Sequence, residues 1–282
     1  MTILEFMLAP LVACILLILI NVYFGIHVLK REIIFIDIAL AQIAAFGTAV
    51  AAVVHHALHE GHAHSHDHSE DSMLAYLLAL GFIIFSALVF SFLKNRKLGI
   101  PLEAIIGISY AFATTAAVII LDKGAGGDVH IHDMLIGSIL WVSWAQVIKL
   151  AIVVALVGII HFTLRKKFTQ LSDNYHNKDC KMKASIFWDF LFYLTFGVVI
   201  IEAVNISGIL TVFAFLILPA SFSALFSQSW KTRIIIGSVI GIIVSAVGLY
   251  LSWNIDMPVA PLIIIMLAVF LLFGALYKKV FN

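Results

Sequence analysis

The sequence predicts an all-α, polytopic membrane protein with about nine transmembrane helices, or eight if two neighbouring apolar runs form one kinked helix. Three observations carry this reading. Of 282 residues, 63% are apolar and 12% are charged, about half the charged share of a soluble domain. The mean hydropathy of +1.11 means that a core cannot hold all the apolar side chains, so many must face lipid. The apolar residues also fall into runs near the roughly 20 residues that a helix needs to cross a bilayer.

The runs are 3–29, 33–58, 73–93, 100–121, 144–164, 186–204, 208–227, 233–252 and 258–277. The first has no basic residues before it and Lys30 and Arg31 after it, so it reads as a retained span and not as a signal peptide. Bases cluster in alternate gaps: Lys30/Arg31, Lys94/Arg96/Lys97, Arg165 to Lys167 with Lys178/Lys181/Lys183, Lys231/Arg233 and Lys278/Lys279. These gaps are expected in the cytoplasm. The gaps at 59–72, 122–143, 205–207 and 253–257 hold acids and histidines with Lys123 as their one base, which places them and the amino terminus outside. Nine spans satisfy that parity.

Trp141, Trp144 and Trp253 fall at predicted outer ends, and Trp188 and Trp230 at inner ends, where amphipathic rings are favoured. Ser143 followed by Gln146 is a capping-box pattern, so the fifth span is expected to start there. Residues 133–142 then form a short outer helix or re-entrant piece. The turn 205–207 is so short that the sixth and seventh runs could be one kinked helix. The whole of 1–282 thus reads as a single transmembrane domain, with a His-rich extracytoplasmic loop at 55–72 and a cytoplasmic carboxyl terminus.

The loop after the second run carries His55, His56, His59, His62, His64, His66 and His68, with Glu60, Asp67, Glu70 and Asp71 among them. Imidazoles at such spacing can gather around zinc, copper or nickel; the alternative is a solvated loop that binds metal incidentally. The string from His59 is not a metalloprotease motif, because the position four residues on is Ala63. His130 and His132, flanked by Asp128 and Asp133, could receive a metal or make surface hydrogen bonds. Cys14 and Cys180 are too few and too far apart for a thiolate zinc site. The net charge of +1 gives no basis for nucleic-acid binding.

Within the runs, Asp37, Glu103, Lys149, Asp189 and Glu202 are the ionisable candidates, because an unpaired charge in hydrocarbon is costly. Snorkelling, capping or helix pairing are the alternatives for those near the ends. Gln42, nine residues into the second run, is expected about 14 Å along its axis, near the midplane, as path lining or helix glue. Asp37, Gln42, Glu202 and Asn205 form the expected translocation set. The chain has no GxxxxGK[ST] loop, so it is not expected to hydrolyse ATP and is not read as an enzyme.

Three stretches resemble the ABC-3 family of bacterial metal permeases: REIIFIDIALAQIAAFG from Arg31; Glu103 to Ile108 followed by Leu135 to Leu140; and GILTVFAFLILPASFSAL from Gly208, continued by Gly248 to Ser252 and Asp256 to Pro258. The resemblance implies a helical permease of a zinc or manganese importer in a bacterial cytoplasmic (inner) membrane, dimerising with a second copy around a central path. It also implies an extracytoplasmic metal-binding protein and two copies of a cytoplasmic ABC ATPase as partners. No permanent cofactor is implied; the cargo would be a divalent metal, with zinc favoured by the histidines. Pro219, Ala220, Ser221, Phe222, Ser223, Trp230 and Lys231 match its ATPase-coupling region, with Pro219 expected to break the helix and the following stretch to lie in the interface. The family's Asp-x-x-x-His in the second helix is replaced: its aspartate position is Ile38 and its histidine position is Gln42. Asp37, one residue off, points about 140° away from Gln42 and cannot restore the pair. The rival class is a gradient-driven zinc or divalent metal carrier, which needs acids and histidines together at the midplane. His27 and His161, inside runs, have no acid one turn away.

Overall fold

The computed structural model describes residues 3–59, 68–94, 99–122, 137, 139–175 and 185–281. Ten α-helices account for nearly all of them: α1 (Ile3–Arg31), α2 (Ile36–His59), α3 (His68–Lys94), α4 (Leu102–Asp122), α5 (Trp144–Thr163), α6 (Arg165–Asp173), α7 (Ser185–Ser207), α8 (Ile209–Phe226), α9 (Trp230–Ile255) and α10 (Val259–Phe281). Among the described residues, nine of these are long and apolar enough to span a membrane, and no residue is in a strand. Helices dominate because a backbone in hydrocarbon must satisfy its own N–H and C=O groups.

The helix borders follow local chemistry. Ser143 accepts a hydrogen bond from the Gln146 N–H at 3.3 Å, and Gln146 Oε1 accepts from the Ser143 N–H at 2.9 Å, so the capping box starts α5 where expected. Between 133 and 142, the described part contains a short 3₁₀ turn at Ile139–Trp141. The sixth and seventh runs are two helices: α7 continues through Ser207, and Gly208 breaks the path at φ 75°. Gly137, also at positive φ, is packed so closely that a Cβ would lie 2.2 Å from the Gly208 nitrogen.

The chain folds as two compact units. One comprises Met1–Ile34, His132–Lys178 and Glu202–Asn282; the other comprises Phe35–Ile131 and Asp179–Ile201. In the first unit, α1, α8, α9 and α10 pack through glycines. A Cβ at Gly25 would meet the Leu216 carbonyl, at Gly237 the Val22 side chain, at Gly241 Ile18, at Gly248 Ile263 and at Gly274 Phe222. The pairs 18/241 and 22/237 fix α1 and α9 as antiparallel. Small residues let helices of equally apolar character approach within van der Waals range, the attraction available where the hydrophobic effect is absent. Phe6 touches both Trp141 and Trp253, with ring centroids at 5.5 and 5.9 Å, gathering three predicted outer ends at one level.

In the second unit, α2 and α3 meet where a Cβ on Gly47 would lie 2.7 Å from the Ala79 Cα. Phe46 joins Phe82 and Phe112 in an edge-on cluster that ties α4 to the pair. The 185–201 part of α7 packs by Gly197 on Ile83 and by Tyr193 on Phe90.

Candidate functional site

The second unit holds Asp37 and Gln42. Helix α2 starts at Ile36, later than the run suggested, because residues 32–35 turn. Gln42 therefore lies about 9 Å from the helix start and not 14 Å. The crossing itself covers Ile36–Val54, so Gln42 remains about 4.5 Å from its middle residue. It is 5% exposed, and Asp37 is 1% exposed. Neither Asp37 oxygen makes a hydrogen bond among the described residues; Asp37 lies in the first turn of α2, where helix polarity favours a carboxylate. Asp189 is fully buried, 2.5 Å from Lys94 Nζ and 3.0 Å from Ser185 Oγ. It is a helix-pairing residue that joins α3 to α7.

The first unit holds Glu202, 3% exposed and 2.8 Å from Lys149 Nζ. This ion pair joins α5 to α7, with Lys149 as the partner of Glu202. Asn205, one turn on, is exposed. Asn21 is fully buried, and neither of its amide atoms has a hydrogen-bond partner among the described residues. The α1/α9 register sets it level with Ser238, another buried polar group. The sequence reading passed over Asn21 because it weighed ionisable groups; an amide in the middle of a 29-residue apolar helix was the available signal.

The basic end of this unit has a network that the sequence reading also missed. Helix α6 buries Phe168, Leu171 and Ser172. Ser172 Oγ accepts from Arg31 Nε at 2.8 Å and lies 2.7 Å from His27 Nδ1. Lys30 pairs with Asp173, which also accepts from Trp230 Nε1 at 3.2 Å. His161 stacks on Phe168 at 4.2 Å and bonds the Tyr23 hydroxyl at 3.0 Å. One short amphipathic helix thus ties the ends of α1, α5 and α9 together.

The expectation that Pro219 breaks its helix is corrected. Pro219 is buried inside α8, which runs on to Phe226, and Ala220 and Ser223 are fully buried in it. Proline removes one N–H donor, whereas breaking the helix would strip several backbone groups at membrane depth. Ser221 and Phe222 are half-buried, and the Phe222 ring meets Gly274. Trp230 and Lys231 begin α9. The connection between α8 and α9 is only 227–229, so 220–231 forms no separate interfacial helix; among the described residues α6 has that character.

The side chains of His55, His56, His59 and His68, and all of His62, His64, His66, His130 and His132, lie outside the described residues. Among the described residues, no three of His, Cys, Asp or Glu gather around a common point. Cys14 is buried and free.

Comparison with known proteins agrees with this architecture. The chain is 24% identical over 184 residues to a probable metal transport system membrane protein of Chlamydia trachomatis, a match covering 64% of this chain and 61% of that one. It is 23% identical to the manganese import system permease protein ScaB of Streptococcus gordonii, over 73% of this chain and 76% of that one. Among solved structures, PsaBC from Streptococcus pneumoniae in complex with Fab superposes with a TM-score of 0.73 at 20% identity, covering 95% of this chain and 90% of that one, so the fold is shared. The model of the ABC 3 transport family matches residues 3–278, and the chain belongs to that family.

Proposed function

We propose that this protein is the membrane-spanning permease subunit of an ATP-driven importer of divalent metal, and that both of its units act as one permease domain. Metal would pass from an extracytoplasmic binding protein to the cytoplasm through a path formed by two copies of the chain. The carrying observation is the match of nearly the whole nine-span chain to a transport family, combined with the lack of any phosphate-binding loop of its own. A cytoplasmic ATPase would then supply the energy, and the 227–229 link between α8 and α9, with Gln228 and Ser229 exposed, is a suitable place for it to push.

Zinc is the cargo best suited to the imidazoles at 55–68 and 130–132, because neutral nitrogen donors suit zinc better than manganese. Those residues would concentrate metal at the mouth, and Gln42 would line the path. Its amide is a weaker ligand than imidazole, so an ion could pass without being held. The amino terminus would lie outside and the carboxyl terminus inside, as the basic residues dictate.

The test is reconstitution in vesicles with and without the partner ATPase, measuring nucleotide hydrolysis and uptake of zinc, manganese and iron. Uptake should require ATPase and ATP, with zinc taken up best. Robust uptake by this chain alone, driven by a proton gradient, would replace the proposal with a secondary carrier. Preference for manganese would overturn the zinc assignment and leave the transporter class intact.

A further inference from the structure

A groove of about 730 Å³ opens on the first unit between α1, α5, α6 and α9, within the 300–1,000 Å³ typical of ligand pockets. Its walls change character along their length. Deep in the span they are apolar, built from Leu19, Ile20 and Val154, with Ile234 nearer the basic end. Gly158 lies between them, and a Cβ there would meet nothing within 4 Å, so its missing side chain leaves the groove open. At the basic end the lining turns cationic, with Arg165, Lys166 and Lys231, all three exposed, and no acidic residue among the lining groups.

The dimensions match one leaflet. Val154 lies nine residues before Thr163, the last residue of α5, so the groove runs about 14 Å into the membrane, close to half of the roughly 30 Å hydrocarbon thickness. Its rim is rigid: Trp230 is held by Asp173 and has Lys30 Nζ 4.3 Å from its ring centre. Helices α6 and α9 both begin at this rim, and neither has a side-chain cap on its first turn, so the polarity of their N-terminal ends favours an anion there.

We propose that this groove binds one anionic glycerophospholipid of the cytoplasmic leaflet, its phosphate between Arg165, Lys166 and Lys231 and an acyl chain along the wall of α1, α5 and α9. A soluble anion would leave the apolar depth empty. A neutral hydrocarbon would leave three cations clustered without a counter-charge. Only an amphiphile with an acidic head uses both halves, and basic pockets at the cytoplasmic ends of spans suit such lipids. The reading rests on the membrane orientation given above but not on the identity of the metal or on ATP coupling.

The test is native mass spectrometry of the full chain, released from micelles containing equal amounts of phosphatidylglycerol and phosphatidylethanolamine with the same acyl chains. One phosphatidylglycerol per chain should be retained preferentially. Each of Arg165→Gln, Lys166→Gln and Lys231→Gln should reduce that retention about fivefold, and Gly158→Phe should remove the lipid by filling the apolar half. Thermal unfolding of each variant distinguishes a folded variant from a collapsed one, and the wild-type comparison of two lipids needs no variant. Equal retention of both lipids by the wild type would overturn the proposal. Displacement by glycerol phosphate alone would also do so, indicating a site for a soluble anion. So would protection of Lys166 and Lys231 from acylation by the bound ATPase but not by lipid, since the groove would then be a protein interface.

Discussion

Gly25 is where α1 meets the backbone of α8, and replacing it with alanine gives a quantitative test of the packing. A Cβ there would lie 2.0 Å from the Leu216 carbonyl oxygen and 3.0 Å from the Ala220 Cβ. A comfortable carbon–oxygen contact is about 3.3–3.6 Å, so α1 and α8 would have to separate by about 1.3–1.6 Å. The obstacle is backbone, and no rotamer change removes it. A gap of that size forfeits about half or more of each dispersion contact along the crossing, and overpacking of this kind costs about 3 kcal/mol. Alanine's higher helix propensity returns about 1 kcal/mol, leaving a net loss of about 2 kcal/mol. At about 2–4 °C per kcal/mol, the melting temperature of the detergent-solubilised chain should fall by about 4–8 °C. The control is Gly81→Ala, because a Cβ at Gly81 meets nothing within 4 Å; it should melt at or slightly above the wild-type temperature. If the two variants melted together, the glycine-mediated approach of α1 to α8 would not support the fold.

Four further outcomes are expected. Ser172→Ala removes the acceptor of Arg31 and the partner of His27; it should cost about 1–3 kcal/mol, read as a lower melting temperature, and an unchanged value would mean that α6 docks by its apolar face alone. Lys149→Met leaves the buried Glu202 carboxylate unpaired, but Lys149 is half exposed and its charge is screened, so a loss of about 1–2 kcal/mol is expected; adding Glu202→Gln should restore most of it in a double-mutant cycle. Gln42→Leu should abolish metal uptake in the reconstituted system while Gln42→His should slow turnover and raise metal retained by the membrane domain; normal transport by Gln42→Leu would make the amide packing glue. Deleting 59–70 should weaken uptake at scarce metal and spare it at saturating metal, because several interchangeable imidazoles raise local concentration without forming the path.

Local order along the chain was enough for much of this architecture. The nine crossings follow from runs of apolar residues, since burial in lipid depends on a segment's own composition and length. The start of α5 follows from Ser143 and Gln146, two residues that satisfy one another. Asp37 and Gln42 were identified from their type and position in the second run, and both are buried. Hydropathy misjudged the start of α2, whereas its seventh run passed correctly through Pro219; the break expected there came with the family resemblance and failed because α8 keeps its own hydrogen bonds. Tertiary structure alone decided which helices touch. Lipid-facing and protein-facing surfaces are equally apolar in a membrane protein, so periodicity does not mark the buried face. The partners of Glu202, Asp189 and Ser172 lie 53, 95 and 141 residues away in sequence, across helices whose separation no local pattern encodes. The same holds for the groove at Gly158, whose cationic rim and apolar wall come together only when α1, α5, α6 and α9 pack.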